Sequence, residues 1–96
     1  MTLPFTGSGI DSMQWCETEN PLWGLTTHPM NPEFTPGGSS GGEGALLSIH
    51  GSLVGWGTDV GGSIRIPSHM NGLWGLKPSV SHLVRRLKVV MLTICT

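Results

Sequence analysis

Two glycine-rich segments of the chain each contain serines in surroundings that suit nucleophilic chemistry. They are residues 37–42, GGSSGG, and residues 59–65, DVGGSIR. Glycine has no Cβ atom, so it permits tight turns and lets the backbone approach a ligand closely. Successive backbone N–H groups in such a turn can converge on an anion, and a catalyst of acyl transfer needs such a concavity beside its nucleophile. The pattern therefore predicts a serine nucleophile next to an oxyanion hole.

The second segment has the features expected of the nucleophile. Ser63 follows two glycines at the end of a predicted strand and precedes a predicted helix. Its hydroxyl would then be exposed while the amides of the turn face a developing oxyanion. Asp59 and Arg65 flank it and are predicted to pair across the turn. We favour this structural role, in which the pair holds the backbone in place, over a role in proton transfer.

The first segment favours a turn that is followed by a helix. Ser40 and Glu43 have the spacing of a capping box. In that motif the hydroxyl accepts from the amide three residues on, and the carboxylate reaches back to the cap amide. Ser40 is therefore interpreted as a helix cap and supporting residue. By composition alone, GGSSGG is more often a flexible linker than a catalytic loop.

Together, the two segments resemble the amidase signature family. The resemblance is carried by GGSSGGEGALL at 37–47, by GTDVGGSIRIPSHMNGLWGLKP at 57–78, and by the 24 positions that separate Ser39 from Ser63. It covers nearly half of the chain without a gap. Residues 43–47 are more similar to fungal acetamidases and fatty-acid amide hydrolases than to the glutamine-dependent tRNA amidotransferase subunits.

The resemblance implies an amidase, a hydrolase that cleaves the carbon–nitrogen bond of small carboxylic amides by a Ser-Ser-Lys acyl-enzyme mechanism. In this family the nucleophilic serine is helped by a second serine, held by a cis peptide bond, and by an upstream lysine that acts as general base. The nucleophile then corresponds to Ser63 and the second serine to Ser39. The oxyanion hole corresponds to the backbone amides of Val60, Gly61, Gly62 and Ser63.

The catalytic lysine of the family has no counterpart in this chain. The family's lysine lies well upstream of the first segment, whereas the lysines here, Lys77 and Lys88, both lie downstream. Neither inherits the role, and we expect the 96-residue chain to be inactive alone. The alternatives are a non-catalytic truncated remnant or incorrect gene model, a glutamine-dependent amidotransferase subunit, and an interaction module. The last is motivated by the basic residues Arg85, Arg86 and Lys88, which precede an apolar run.

For the fold, the resemblance implies an α/β fragment of the amidase signature fold, in which helices flank a mixed β-sheet core. We divide the chain into a partly irregular lead-in at 1–34, a signature core at 35–79 and an atypical tail at 80–96. Residues 1–19 carry no periodicity and are predicted to be loop. Within the core we predict a helix after Ser40 that ends at Gly51, a strand at 52–59, a short helix at 68–71 with Pro67 in its first turn, and a strand at 73–77.

Three glycines and two tryptophans are predicted to be packing positions. Gly44 lies inside the predicted helix, where glycine would weaken a solvated helix, so we expect close packing there. Gly55 and Gly57 interrupt the first predicted strand, which suggests that another backbone passes close by. Trp15 and Trp23 are interpreted as packing residues rather than recognition groups.

Composition and charge narrow the expected partners. A formal net charge of −1 over 96 residues gives no field that would attract nucleic acid or an anionic membrane, so the expected partner is a small amide. The four histidines lack the spacing of a zinc site, and neither a metal nor another cofactor is expected. The two cysteines make no disulfide framework, and no signal peptide or apolar transmembrane run is found, which favours the cytoplasm. The full-length enzyme is a candidate homodimer.

Overall fold

The computed structural model describes residues 16–78 and the backbone of residues 89–91. Trp15 and most of the predicted tail at 80–96 lie outside the described residues. The predicted mixture of helices and strands is confirmed. In chain order the elements are β1 (Glu19–Asn20), β2 (Gly24–Leu25), α1 (Gly41–Ser48), β3 (Trp56–Thr58), α2 (Arg65–Met70) and β4 (Val89–Met91).

The four strands form two separate antiparallel pairs. β1 pairs with β2 across a turn closed by Asn20 Oδ1, which accepts from two backbone N–H groups at 2.8 and 3.3 Å. β3 pairs with β4, and Thr58 lies opposite Val89. Both pairings among the described residues are antiparallel, so the mixed sheet remains a prediction for a complete domain.

α1 is the helix predicted after Ser40, and it overlaps the end of residues 37–42, which we call the Ser39 turn. The helix begins at Gly41 and closes with two bonds of 2.9 Å, from His50 N–H to Leu47 O and from Gly51 N–H to Leu46 O. This is a Schellman arrangement, whose left-handed residue is His50 with a φ of 57°. The helix ends at Ser48, before the predicted stop at Gly51, and a histidine rather than a glycine takes the left-handed conformation.

The predicted capping box at the start of α1 is wrong. Ser40 occupies the N-cap position, but its side chain makes no capping hydrogen bond. The carboxylate of Glu43 is engaged elsewhere, because its Oε1 accepts from the backbone N–H of Trp56 at 3.1 Å. Glu43 therefore ties α1 to β3 instead of closing the first turn of its own helix.

α2 follows directly from residues 59–65, which we call the Ser63 turn. It begins at Arg65, earlier than predicted, because the N–H of Ile66 already donates to Gly62 O at 2.7 Å. Pro67 lies in the first turn of the helix, as predicted, where its missing N–H has no intrahelical partner to lose. The helix is thus a continuation of the turn that carries Ser63.

The core of the described region lies between the two helices. Leu47 and Ile64 are its buried apolar side chains, 2% and 5% exposed, and Pro67 is fully enclosed. Gly44 allows the close packing that was predicted, because a Cβ atom there would lie 2.9 Å from the Asn71 side chain. A larger residue at this position would push α1 away from α2.

Of the two strands predicted in residues 35–79, the first is shorter than predicted and the second is absent. Of the strand predicted at 52–59, only Trp56–Thr58 forms, opposite the three residues of β4. The strand predicted at 73–77 is wrong, since residues 73–78 contain no strand and Leu76 is 53% exposed. A strand needs a neighbour for its backbone hydrogen bonds, and no described strand pairs with this segment.

Gly55 and Gly57 mark a close approach, but of side chains rather than of another backbone. A Cβ atom on Gly55 would lie 2.5 Å from Leu47 Cδ1, and one on Gly57 would lie 2.6 Å from Ser40 Oγ. The loop before β3 therefore packs onto α1. β3 itself packs onto the residue that precedes α1.

Many large apolar side chains of residues 16–78 are exposed. Trp23, which was predicted to pack, is 71% exposed. This much exposed apolar surface is typical of a segment that packs against further structure. In this described part of the chain, no helix is both long enough and apolar enough to cross a membrane. The other large apolar residues that are more than half exposed are Leu22, Leu25, Met30, Phe34, Ile49, Leu53, Trp56, Val60, Trp74 and Leu76.

Candidate active site

The Ser39 turn is held from outside by Thr18, a residue of the predicted loop at 1–19. Thr18 is 4% exposed, and its Oγ1 donates to Gly37 O at 3.0 Å while it accepts from Gly41 N–H at 3.0 Å. A second and longer acceptor is Ser39 O, at 3.4 Å. One hydroxyl thus ties together the two ends of the turn. Sequence reasoning missed Thr18, because no motif or periodicity marks it.

Glycines let the preceding segment press against the Ser39 turn. A Cβ atom on Gly38 would clash with the carbonyl of Glu17, and one on Gly41 would clash with the hydroxyl of Thr18. The peptide bond between Gly38 and Ser39 is cis, as the family resemblance implied. Residues 17 and 18 therefore form a wall against which this turn rests.

The Ser63 turn is organised by Asp59, whose side chain is 1% exposed. Its two oxygens accept from three backbone N–H groups of the turn, those of Gly62 at 2.8 Å, Ile64 at 3.2 Å and Arg65 at 3.2 Å. The guanidinium of Arg65 adds two bonds of 3.0 Å each. The predicted pairing across the turn is confirmed, and its bidentate geometry is the one that gives strong charge-assisted bonds.

These contacts fix the charge on Asp59. The hydrogen bond from the Arg65 guanidinium, opposed by burial and aided by the backbone N–H bonds, lowers the pKa of Asp59 from 3.8 to about 2. The same hydrogen bond raises the pKa of Arg65. A carboxylate with so low a pKa stays ionised near neutral pH and is a weak base. The contacts therefore favour a structural role for the pair over proton transfer.

Three of the four backbone amides predicted for the oxyanion hole make no hydrogen bond within residues 16–78, and the fourth does. The N–H of Gly62 donates to Asp59 Oδ1 at 2.8 Å, so it is engaged within the turn itself. Within residues 16–78, the N–H groups of Val60, Gly61 and Ser63 take part in no hydrogen bond. Three donors therefore remain for an anion, and the fourth shapes the turn that presents them.

The two turns meet through one backbone hydrogen bond. Ser40 N–H donates to Ser63 O at 3.2 Å, which sets the two serine-bearing segments side by side. Ser63 is half-buried, whereas Ser39 is exposed. Among the described residues, neither of these two hydroxyls makes a hydrogen bond. The fold thus brings the predicted serines into one neighbourhood and leaves the hydroxyls of Ser39 and Ser63 available.

The small pocket next to the two turns does not include the candidate catalytic serines. A pocket of about 20 Å³ between α1, β3 and α2 is lined by Ser40 but by neither Ser39 nor Ser63. A space of that size holds about one water molecule, so this pocket is a packing gap. Of the residues that the structure describes, no group of three or more His, Cys, Asp or Glu could hold a metal ion.

Comparisons with known proteins agree on one family. The chain matches the Amidase family model over residues 10–93. It is 82% identical over 65 residues to Amidase 1 of Gibberella moniliformis, which is 68% of this chain and 12% of that protein. It is 53% identical over 68 residues to an acetamidase of Emericella nidulans, 71% of this chain and 12% of that protein. It is 49% identical over 85 residues to fatty acid amide hydrolase 1 of Caenorhabditis elegans, 88% of this chain and 15% of that protein.

These relatives are much longer than the chain, which spans 12% to 15% of their lengths. Their names agree with the branch that residues 43–47 predicted, the acetamidases and fatty-acid amide hydrolases. The matched residues 10–93 include both serine-bearing turns and the segment that carries Thr18. The chain belongs to the Amidase family.

Proposed function

We propose that this chain provides the serine nucleophile and the oxyanion donors of an amidase that hydrolyses small carboxylic amides to a carboxylate and ammonia or an amine. The observation that carries the proposal is the bond from Ser40 N–H to Ser63 O, at 3.2 Å, which joins the two turns. It joins Ser63 to Ser40, the residue that follows Ser39, and the N–H groups of Val60, Gly61 and Ser63 are unengaged within residues 16–78. The relatives' names, amidase, acetamidase and fatty acid amide hydrolase, support an amide as the substrate.

The reaction begins when Ser63 Oγ attacks the carbonyl carbon of the amide. As the new oxygen–carbon bond forms, the hydroxyl proton passes through Ser39 to a general base, and an electron pair moves onto the carbonyl oxygen. Collapse of this intermediate breaks the carbon–nitrogen bond, and the departing nitrogen takes up the proton. Water then attacks the Ser63 ester by the same route, which releases the carboxylate and restores the hydroxyl.

The general base is a lysine that the family resemblance places upstream of the Ser39 turn. Lys77 and Lys88 are the lysines of this chain, and both lie downstream of that turn. General-base assistance is worth about 10²–10⁴ in rate, so the chain by itself should be almost inactive. Catalytic hydrogen bonds often tighten only when substrate is bound, and the bond between the hydroxyls of Ser39 and Ser63 is expected to form at that stage.

The amides of Val60, Gly61 and Ser63 act as the oxyanion donors in this proposal. They lie on a turn whose shape is fixed by the buried carboxylate of Asp59, to which Gly62 N–H donates at 2.8 Å. Loss of one well-placed donor typically lowers the rate by about 10²–10³. Gly62 contributes through the shape of the turn rather than by contact with the oxyanion.

A hybrid enzyme tests the proposal. Residues 16–78 of this chain replace the equivalent segment of Amidase 1 of Gibberella moniliformis, and we call the product the hybrid amidase. Its hydrolysis of a series of primary alkyl amides is followed by release of ammonia. We expect activity in the hybrid amidase and a loss of at least about 10³-fold in Ser63→Ala. Ser39→Ala should also be severe because it removes the proton relay, whereas Ser40→Ala should leave partial activity.

Ser48→Ala is the matched control, because Ser48 lies at the far end of α1 and its hydroxyl donates to Ala45 O at 2.8 Å. It should leave hydrolysis unchanged. Full activity in Ser63→Ala would refute the assignment of the nucleophile. A folded but inactive hybrid amidase would instead favour the alternative that this chain is a non-catalytic remnant.

A further inference from the structure

We propose that Thr18 is a positioning residue for the reaction, whose buried hydroxyl fixes the Ser39 turn against the Ser63 turn. The inference rests on the proposed function, because the turn that Thr18 holds carries the proposed proton relay. Thr18 acts through the backbone of residues 37–41 and does not touch the reacting atoms. Its effect should therefore appear in the chemical step rather than in substrate binding.

The hydrogen bonds of Thr18 lie on either side of the two serines of the Ser39 turn, Ser39 and Ser40. Its Oγ1 donates to the carbonyl of Gly37, before the serines, and accepts from the N–H of Gly41, after them, each at 3.0 Å. A hydroxyl has a single proton, so the 3.4 Å approach to Ser39 O is the secondary contact. The bonds to Gly37 and Gly41 together fix the distance between the two ends of the turn.

Burial makes this anchor hard to replace. Thr18 is 4% exposed, so water has little access to the groups that it bonds. The absence of a Cβ atom on Gly41 is what leaves room for the hydroxyl, since a Cβ there would clash with Thr18 Oγ1. Removal of the hydroxyl would leave a buried N–H and a buried carbonyl without partners, and the turn would shift to satisfy them.

A shift of the Ser39 turn would also affect Ser63, because one hydrogen bond joins the two turns. Ser40 lies inside the segment that Thr18 clamps, and its N–H donates to Ser63 O at 3.2 Å. A displacement of the Ser39 turn therefore changes the spacing between the relay hydroxyl and the nucleophile. Misplacement of catalytic groups by about 1 Å can lower a rate by about 10²-fold, so an effect on kcat is expected.

The test uses three variants of the hybrid amidase. Thr18→Val keeps the shape of the side chain and removes the hydroxyl, and Thr18→Ser keeps the hydroxyl. The control, Thr27→Val, removes the hydroxyl of an exposed threonine. The side chain of Thr27 makes no hydrogen bond within the described residues. We expect Thr18→Val to lower kcat by about 10- to 100-fold with KM changed by less than about threefold. Thr18→Ser should recover most of kcat, and Thr27→Val should match the parent.

A double variant separates positioning from general destabilisation. If Thr18 acts through the relay, Thr18→Val should add little further loss in the Ser39→Ala background, because residues that act as a unit are not additive. A role in stability alone would lower the folded fraction to the same extent in both backgrounds. Thermal unfolding of each variant checks that the kinetic comparison is made on folded protein.

Three results would overturn the inference. They are an unchanged kcat in folded Thr18→Val, the same fold loss with and without Ser39, and failure of Thr18→Ser to recover activity. If Thr18→Val does not fold, Thr18→Cys, which keeps a weak donor of similar size, should show an intermediate kcat with an unchanged KM, and a parental kcat would refute the inference. Activity that survives Ser63→Ala would instead refute the proposed function, whatever the behaviour of Thr18.

Discussion

The Ser39 turn and the Ser63 turn are both glycine-rich and both present a serine, but they are held in opposite ways. The Ser63 turn is fixed from within, since Asp59 bonds to groups three to six residues away. The Ser39 turn is fixed from outside, since Thr18 bonds to groups 19 to 23 residues away. One half of the candidate site therefore carries its own support, and the other half depends on a segment that is distant in sequence.

The chemistry of the two anchors differs as well. Asp59 is an ion that accepts three backbone bonds and two from the Arg65 guanidinium. Thr18 is a neutral hydroxyl that bonds the backbone alone. Charge-assisted hydrogen bonds are about twice as strong as neutral ones, so the Ser63 turn should be the more rigid of the two. The Ser39 turn should respond most to changes in how closely its neighbours pack.

The largest effect should come from adding a methyl group where the lead-in presses on the Ser39 turn. A Cβ atom on Gly38 would clash with the backbone carbonyl of Glu17, which cannot rotate away as a side chain can. Gly38→Ala in the hybrid amidase should lower the free energy of unfolding by about 3 kcal/mol or more. Gly61→Ala in the Ser63 turn meets nothing within 4 Å and is the matched control. It should change that free energy by less than about 1 kcal/mol, as measured by urea unfolding.

Equal losses of unfolding free energy in Gly38→Ala and Gly61→Ala would contradict the proposed difference between the two turns. Gly61 would then be as tightly packed as Gly38, and the Ser63 turn would also depend on groups outside it. A large loss in Gly38→Ala and a small one in Gly61→Ala would support the view that external packing defines the Ser39 turn alone.

The next effect should come from the internal anchor of the Ser63 turn. Asp59→Asn places an amide N–H₂ among backbone N–H donors and leaves at least one of them without an acceptor, so the free energy of unfolding should fall by about 2 kcal/mol. Arg65→Met keeps the bond from the backbone N–H of residue 65 to Asp59 and the apolar part of the side chain, but it removes the guanidinium. The Arg65 side chain is 54% exposed. Because the guanidinium is partly solvated, this variant should lower the free energy of unfolding by less than Asp59→Asn does. A larger loss for Arg65→Met than for Asp59→Asn would contradict the account, because Asp59→Asn disturbs the backbone bonds of the turn as well as the pair with Arg65.

The most gradual effect should appear with acid. The pKa of Asp59 lies at about 2 in the folded chain and at 3.8 ordinarily, so its contribution is present above the higher value and is lost as the pH falls through the lower one. The difference in unfolding free energy between the parent hybrid amidase and Asp59→Asn should be constant above about pH 5 and should narrow from about pH 4 towards pH 2. A difference that stays constant down to about pH 2 would show that the carboxylate charge does not stabilise the turn.

Local features of the site were predictable from the sequence. The pairing of Asp59 with Arg65 follows from their positions on either side of a tight turn, and short-range geometry alone brings them together. The helix after Ser40 follows from a turn segment that runs into apolar residues. Its close packing at Gly44 follows from the presence of a glycine where helix propensity disfavours one.

Features that depend on distant partners were not predictable. Thr18 sits in a stretch without periodicity, and its role arises only when the fold brings residues 37–41 against it. The capping box failed because Glu43 is used by the N–H of Trp56, a tertiary contact that competes with the local motif. The strand expected at 73–77 failed because an apolar run becomes a strand only when another strand pairs with it. Each error therefore arises from a contact made or lacking beyond the local sequence.

Covalent labelling of the hybrid amidase tests the central claim most directly. A serine-reactive fluorophosphonate is added, the adduct is counted by intact mass, and its position is found by peptide mapping. The account predicts one adduct, on Ser63, that is lost in Ser63→Ala and kept in Ser48→Ala, and almost no adduct on the 96-residue chain alone, whose lysines both lie downstream of the Ser39 turn. Stoichiometric labelling that survives Ser63→Ala would contradict it.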